Sequence, residues 1–429
     1  HMAQTPNLDL TKQANGALNW DTPLNANFDK IDAALPIPLT IAKGGTGAVT
    51  AAAARISLGI ATTSVISVKD HGAAGDGITD DTAAFQAAAT AANTAKYASV
   101  FVPGGVYYLA GVVTFTVPAP GGLVFSGAGR GVSVLKSVGG IVINLADQGD
   151  GAVTGNAVAV SGLTFAARTT TTATALAISG GLASPQRTTP GAIIENNDFR
   201  AWDRTGGLEY WYKGLTVTKN ITARIHNNTM DMINGLYGIH LFGTGTNGPV
   251  NVTISHNDLY YTAAAGRALI AAEDAVEGLH VEGNTLIGSA LALKWNTPAT
   301  TGLPALWYQN NYSDGVNGID IDGVAEIQIT GNHFDFGNLA GTNYAIRIRN
   351  AFHATIPARD PDRGMIDNNV IHDNSGPVAT NYGVEIDEGN HIIVGPGNIY
   401  TAIQTADVLL GANSINCTVY WTKPAVTSG

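Results

Sequence analysis

One short unit recurs down this chain and limits the folds open to it: an alternating strand, a break of one or two residues, a second alternating strand and an asparagine turn. In its clearest copy, VNGIDIDGVAEIQITGNHFDF (316–336), GIDID alternates, Gly323 interrupts, EIQIT alternates again, and Gly331-Asn332 turns the chain before Phe334. Strict alternation gives each strand one buried face. Ile319, Ile321, Ile327 and Ile329 point one way, and Asp320, Asp322, Glu326 and Gln328 the other. The turn asparagines are Asn197, Asn228, Asn257, Asn284, Asn311, Asn332, Asn369 and Asn398, spaced by 21 to 37 residues. Strand repeats of that period signal a solenoid whose loops absorb the unequal spacing. Asparagine suits the turn because it tolerates left-handed backbone and stacks as a hydrogen-bonded ladder between coils. The expected fold is all-β, a single-stranded parallel β-helix, with its rungs over 141–410.

At 429 residues the chain is long for one globular core, but a solenoid runs this long as one body. The single cysteine, Cys417, excludes an intrachain disulfide framework and fits synthesis in a reducing cytoplasm. No apolar run reaches the length of a membrane span, and no basic segment followed by an apolar core opens the chain, so neither membrane insertion nor a secretory leader is expected. His1-Met2 looks like a cloning remnant. A net charge of -11 argues against a phosphate-binding groove and hence against nucleic acid as a partner, leaving a neutral or weakly charged ligand such as a glycan.

Residues 1–64 differ from the rest. In LNWDTPLNANFDKIDAAL, Leu24, Phe28, Ile31 and Leu35 fall at helical spacing after Pro23. So short a helix is expected to pack on copies of itself or on the body. A Gly/Ala/Thr stretch follows, with a short helical pattern from Ala51 to Leu58, and reads on composition as a linker. GGTGAVTAAAARISLGI resembles an element of bacteriophage tail fibres and tailspikes, and the preceding NW…LN.NFDKID is similar to the head of phage tail proteins.

Residues 65–140 read as a strand, a glycine-rich loop, a helix beginning near Asp80 or Asp81, and a strand ending in a Pro-Gly-Gly turn. The helix sets Ala84, Phe85, Ala88 and Ala92 on one face, which suits a plug for the open apolar end of a solenoid. Asp76, Asp80 and Asp81 form a carboxylate cluster that reads as helix cap and loop bracing. DHGAAGDGITDDTAAFQAA, VPGGVY and LVFSGAGRGVSVLK resemble the opening turns of pectate-lyase-like β-helix proteins, which implies a right-handed coil. Further on, EYWYKG (209–214) sets Tyr210, Trp211 and Tyr212 beside Glu209, either packed on the body or offered to a sugar face. Residues 411–429 form a tail in which Cys417 to Trp421 is either a last strand or a subunit contact.

Stacked coils put corresponding residues about 4.8 Å apart. Aligning GLTVT (214–218), GIHLF (238–242), ALIAA (268–272), ALALK (290–294), GIDID (318–322), AIRIR (345–349) and GVEID (383–387) yields two outward columns. They read Thr216/Thr218, His240/Phe242, Ile270/Ala272, Ala292/Lys294, Asp320/Asp322, Arg347/Arg349 and Glu385/Asp387. One reading is a ladder of opposite charges, Lys294 to Asp322 and the aspartates to Arg347 and Arg349, that fixes register. The other is a glycan groove in which Asp320, Asp322, Glu385 and Asp387 supply acid and base. Residues two apart on a strand lie about 6.6 Å apart and residues two coils apart about 9.6 Å, at or near the ~6.5–9.5 Å carboxylate window of inverting glycosidases. His240, Glu273, Lys294, Arg347 and Arg349 would bind substrate there, with Trp295, Trp211 and Tyr210 as aromatic platforms. No HExxH, CxxC, P-loop or nucleophile-elbow pattern occurs, and no cofactor is expected. A lyase using a divalent cation such as calcium stays open through Asp320, Asp322 and Arg347.

Together the two resemblances imply a phage tailspike: a homotrimer on the virion, made in the host cytoplasm and joined to the tail through residues 1–64. Such a spike binds a bacterial surface polysaccharide, either capsule or O-antigen. The implied activity is glycoside hydrolysis, with lyase action or non-enzymatic adhesion as alternatives.

Overall fold

The computed structural model describes residues 21–34, 65–118, 121–146, 157–168, 172–180, 191–203, 209–219, 222–243, 248–260, 267–288, 291–296, 305–337, 342–349, 363–374, 380–403 and 405–420. Two compact units divide the chain, residues 1–65 and 66–429. In the first, a helix spans Asp21–Ala34, with Leu24 and Phe28 exposed. Leu35 and the 51–58 pattern lie outside the described residues.

The second unit is a right-handed parallel β-helix of three sheets. Among the described residues thirteen strands form the first sheet, from Val65–Ser67 to Thr418–Val419. Twelve form the second, from Asp76–Asp80 to Ile399–Thr401, and eleven the third, from Val113–Val117 to Ala406–Ile415. Each coil adds one strand to each sheet. In the 316–336 unit, Asn317–Asp322 joins the third sheet, Gly323 turns the corner at φ 76°, Glu326–Thr330 joins the first sheet, and His333–Phe336 the second. Ile319, Ile321, Ile327 and Ile329 face inward and are buried, as the alternation requires. Each such side chain contributes about 1.5–3 kcal/mol on leaving water.

The asparagine ladder is continuous from Asn197 to Asn398. Asn257 Nδ2, for example, donates to Asn284 Oδ1 at 3.0 Å, to Ile225 O at 2.9 Å and to Ser255 O at 3.0 Å. Asn284 repeats the pattern onto Asn311. The ladder residue itself does not take the left-handed conformation. Its predecessor does, at Asn196, Asn227, His256, Gly283, Asn310, Gly331 and Asn368. Turning and stacking are thus divided between two neighbouring residues.

The helix Thr82–Thr94 closes the first coil. Phe85, Ala88, Ala89 and Ala92 are buried. Its polar side meets the free edge of the third sheet's first strand, Val113–Val117. Gln86 Nε2 donates to Thr114 O and Gln86 Oε1 accepts from Thr114 N, both at 3.0 Å, while Asn93 Oδ1 accepts from Thr116 N at 2.9 Å. These contacts satisfy backbone groups that would otherwise offer an edge for aggregation. Asp81 binds Ala74 N and Gly75 N, and Asp80 binds Thr82 N, so both aspartates brace the loop. Asp76 does the same for Ile78 N and Thr79 N, and these contacts hold its carboxyl down at about 2.

Candidate active site

The outward face of the third sheet carries a dense cluster of charge. Strand register links Thr216, His240, Ala271, Lys294, Asp320, Arg347 and Glu385 in one column. The next column runs through Thr218, Phe242, Glu273, Asn296, Asp322 and Arg349. Two coils differ from the alignment made on sequence. Ile270 and Ala272 face the core, and Ala271 and Glu273 take the outward places. In the Leu291–Asn296 strand the columns hold Lys294 and Asn296, not Ala292 and Lys294. ALIAA and ALALK carry apolar residues at both parities, so alternation could not set their register; pairing with neighbouring coils does.

Asp320, Asp322, Arg347, Arg349, Glu385 and Asp387 come together on three successive strands. Arg349 donates from Nε to Asp320 Oδ1 at 2.8 Å and from Nη2 to Asp320 Oδ2 at 2.9 Å, with Nη1 3.4 Å from Asp322 Oδ2. Arg347 turns to the following coil, donating from Nη2 to Asp387 Oδ2 at 3.1 Å and lying 3.3 Å from Glu385 Oε2. Asp320 and Glu385 are only 7 % exposed and Asp322 only 2 %, although they point outward. Burial pushes the Glu385 carboxyl above its ordinary value; Arg347 opposes the rise, and Asp387 and Asp320 add to it. Tyr344, missed on sequence, donates its hydroxyl to Asp320 Oδ2 at 3.3 Å and lies beneath the Arg347 guanidinium.

A second cluster occupies the preceding coils. His240 Nε2 lies 2.9 Å from Glu273 Oε2, and Lys213 Nζ lies 3.0 Å from His240 Nδ1. The lysine can only donate, so Nδ1 accepts and Nε2 carries the proton. Tyr237 donates its hydroxyl to Glu273 Oε1 at 2.7 Å, and Lys294 Nζ lies 3.0 Å from the same oxygen. The contact with His240 leads those that hold Glu273 well below the usual carboxylate range. Burial lowers both His240 and Lys213. Lys294 therefore pairs with Glu273, not with Asp322. Register runs Lys213, Tyr237, Ala268, Leu291 and Asn317 in one further column and pairs Tyr344 with Tyr382, so the polar members stand one residue before GLTVT, GIHLF, GIDID, AIRIR and GVEID.

The two tryptophan platforms do not stand. Trp295 is fully buried in the core because its place in the strand has inward parity. Trp211 is buried too, donating Nε1 to Phe165 O at 3.0 Å, with Tyr210 half-buried beside it. Glu209 pairs with Arg168 at 2.6 Å, so EYWYKG packs on the body.

Parts of the sequence and the fold have counterparts among known proteins. Residues 65–269 match the family described as rhamnogalacturonase A/epimerase, pectate lyase-like. Mannuronan C5-epimerase AlgE1 of Azotobacter vinelandii is 44% identical over 79 residues, 17% of this chain and 5% of that protein. The chain thus spans a small fraction of the curated relatives it matches. The A-module of mannuronan C-5 epimerase AlgE6 from the same organism superposes with a TM-score of 0.51 at 16% identity, covering 83% of this chain and 100% of that one. The enzymatically active domain of tailspike protein 2 of bacteriophage CBA120 reaches 0.50 at 14% identity, covering 83% and 52%. At such identities the likeness is one of fold, and the pectate-lyase-like β-helix is that fold.

Proposed function

We propose that this protein is a bacteriophage tailspike enzyme that binds a bacterial surface polysaccharide, capsule or O-antigen, and hydrolyses its glycosidic bonds. The observation that carries the proposal is Glu385: a buried carboxyl with a raised pKa, on the outward face of a sheet and two coils from Asp320. A carboxyl that holds its proton more tightly than an ordinary glutamate can give it to a departing glycosidic oxygen. Asp320, about 9.6 Å away by coil spacing, then takes a proton from the water that attacks the anomeric carbon. The carbon–oxygen bond to the leaving sugar breaks as the new one to water forms, and the anomeric configuration inverts. Arg347 and Arg349 align the carboxylates and offer donors to sugar hydroxyls. The tailspike assignment draws on residues 1–64 and on the fold shared with a phage tailspike domain. A homotrimer packing solenoids side by side fits that assignment, because rotation closes the contact.

The Tyr237–His240 cluster favours a second reading. A neutral imidazole and a phenol share one surface, and Lys213 and Lys294 lie 5.7 and 5.9 Å from the Tyr237 ring centroid. Two cations could neutralise a uronate carboxylate while a base removes the C5 proton. Returning that proton to the opposite face is epimerisation; expelling the C4 oxygen is lyase action. The short match to a mannuronan C5-epimerase adds to this reading.

Incubation with surface polysaccharides from a panel of bacterial strains tests both. New reducing ends without unsaturated uronate support hydrolysis. Unsaturated ends, or an altered uronate composition at unchanged chain length, would displace it in favour of Tyr237 and His240.

A further inference from the structure

The first sheet, on a different face of the prism, carries a groove that the chemistry above does not use. Its volume is about 720 Å³, and Trp307, Glu326, Gln328, Arg363, Met365 and Ile393 line it. Register places His280, Trp307, Gln328, Met365 and Ile393 in one outward column. The His280 and Trp307 rings stack with centroids 4.3 Å apart and planes within 5°. His280 thereby covers one face of the indole, and the other face looks toward the coil of Gln328. The Gln328 amide sits between Trp307 and Met365, whose backbones are two strand spacings or about 9.6 Å apart. Met365 and Ile393 remain 40% and 42% exposed, an apolar wall facing an aromatic one.

The rim is polar. Glu326 and Arg363 are register partners at the edge of the groove, and both are exposed. Among the described residues neither forms an ion pair. A groove lined by an aromatic plane, an amide next to it, and a carboxylate and a guanidinium at its rim matches a hexopyranose: an apolar ring face edged with hydroxyls.

We infer that the Trp307–Gln328–Met365 groove of the first sheet is a glycan-holding site separate from the charged face of the third sheet. It binds one or two hexose residues of the polysaccharide and keeps the polymer on the solenoid while a bond is processed elsewhere. This inference rests on the glycan reading of the protein and not on whether that processing is hydrolysis.

The test is calorimetric titration of the full chain with hexasaccharides of mannuronan, polygalacturonate, dextran and cellulose, together with the polysaccharide that the protein shortens in the strain panel. Trp307→Ala is expected to weaken binding about tenfold or more, since sugar stacking on indole is lost, and Arg363→Ala and Glu326→Gln several-fold each. The last two positions are exposed and leave the fold intact, which keeps the test valid if Trp307→Ala unfolds. Cleavage of a short oligosaccharide should not change in the rim variants, while turnover of the long polymer at low concentration should fall. Wild-type affinities retained in Arg363→Ala and Glu326→Gln, or no binding to any of these glycans, would overturn the site. So would variants that bind glycan normally but sediment as smaller species, since the groove would then be a contact between copies. Loss of cleavage with groove binding intact would count against the proposed catalytic residues alone.

Discussion

Arg349 grips Asp320 with two hydrogen bonds, of 2.8 and 2.9 Å, yet the two residues are not opposite each other in the sheet. Arg349 lies opposite Asp322, and Asp320 lies opposite Arg347. The grip is diagonal: Arg349 leans back to the preceding coil, which frees Arg347 to lean forward to Asp387 and Glu385. Two arginines on one strand thus tie three coils together. Four carboxylates are gathered at a spacing that unshielded charge would resist.

Removing the grip should be costly. In Arg349→Met, Asp320 loses a two-pronged cation contact and Asp322 one ion pair, while both remain buried. Breaking a fully buried pair costs about 3–5 kcal/mol; with the arginine side chain about a third exposed, about 2 kcal/mol is expected. A lower urea midpoint at unchanged m-value would show it. Arg349→Lys, which keeps charge but not the two-pronged geometry, should recover only part of the loss.

Glu385→Gln should retain the fold and lower turnover about 10²–10⁴-fold, the usual contribution of a positioned acid. In the wild type the pH–rate profile should fall on its alkaline side as Glu385 gives up its proton, at a pH above the ordinary glutamate value because its folded pKa is raised. The sign for stability is the same: the raised pKa favours the folded state at low pH, and that contribution disappears as pH rises through the folded value. A profile whose alkaline limb is identical in Asp387→Asn would show that the neighbouring carboxylate does not set this pKa.

Acid should weaken the Glu273 cluster by the opposite sign. Glu273 has a depressed pKa in the folded protein, so its contribution is complete above the ordinary glutamate value and is lost as pH falls toward the folded one. His240, also depressed, adds a loss that begins below the ordinary imidazole value. Unfolding of wild type against Glu273→Gln across pH 3–7, a range of roughly four units around these ordinary values, should show curves that differ most at the neutral end and converge on acidification.

Asn284→Ala should break the ladder in its middle. Asn257 loses the Oδ1 that accepts from its backbone and side-chain nitrogens, each at 3.0 Å, and Ile254 O loses its donor. Stranding buried polar groups costs about 1–3 kcal/mol each, so about 3 kcal/mol is a fair total. Thermal unfolding checks this, and hydrogen exchange should localise the opening to the coils flanking residue 284.

Much of the architecture could be read from the chain itself. Alternation with period two dictates which isoleucines turn inward, and an asparagine after each second strand dictates where the coil turns, because both are local preferences expressed by a few adjacent residues. The charged strands GIDID, AIRIR and GVEID show their outward residues for the same reason: polar and apolar residues alternate without ambiguity. Where parity is ambiguous, as in ALIAA and ALALK, local pattern does not fix the face, and Trp295 lies in the core and not at the surface. Register there comes from backbone pairing with the coils on either side. The diagonal grip of Arg349, the pairing of Lys294 with Glu273, and the proton affinity of Glu385 are likewise absent from any local pattern. Each depends on charges 20 to 65 residues apart in sequence being stacked within one or two strand spacings of one another, a proximity that exists once the coils are wound.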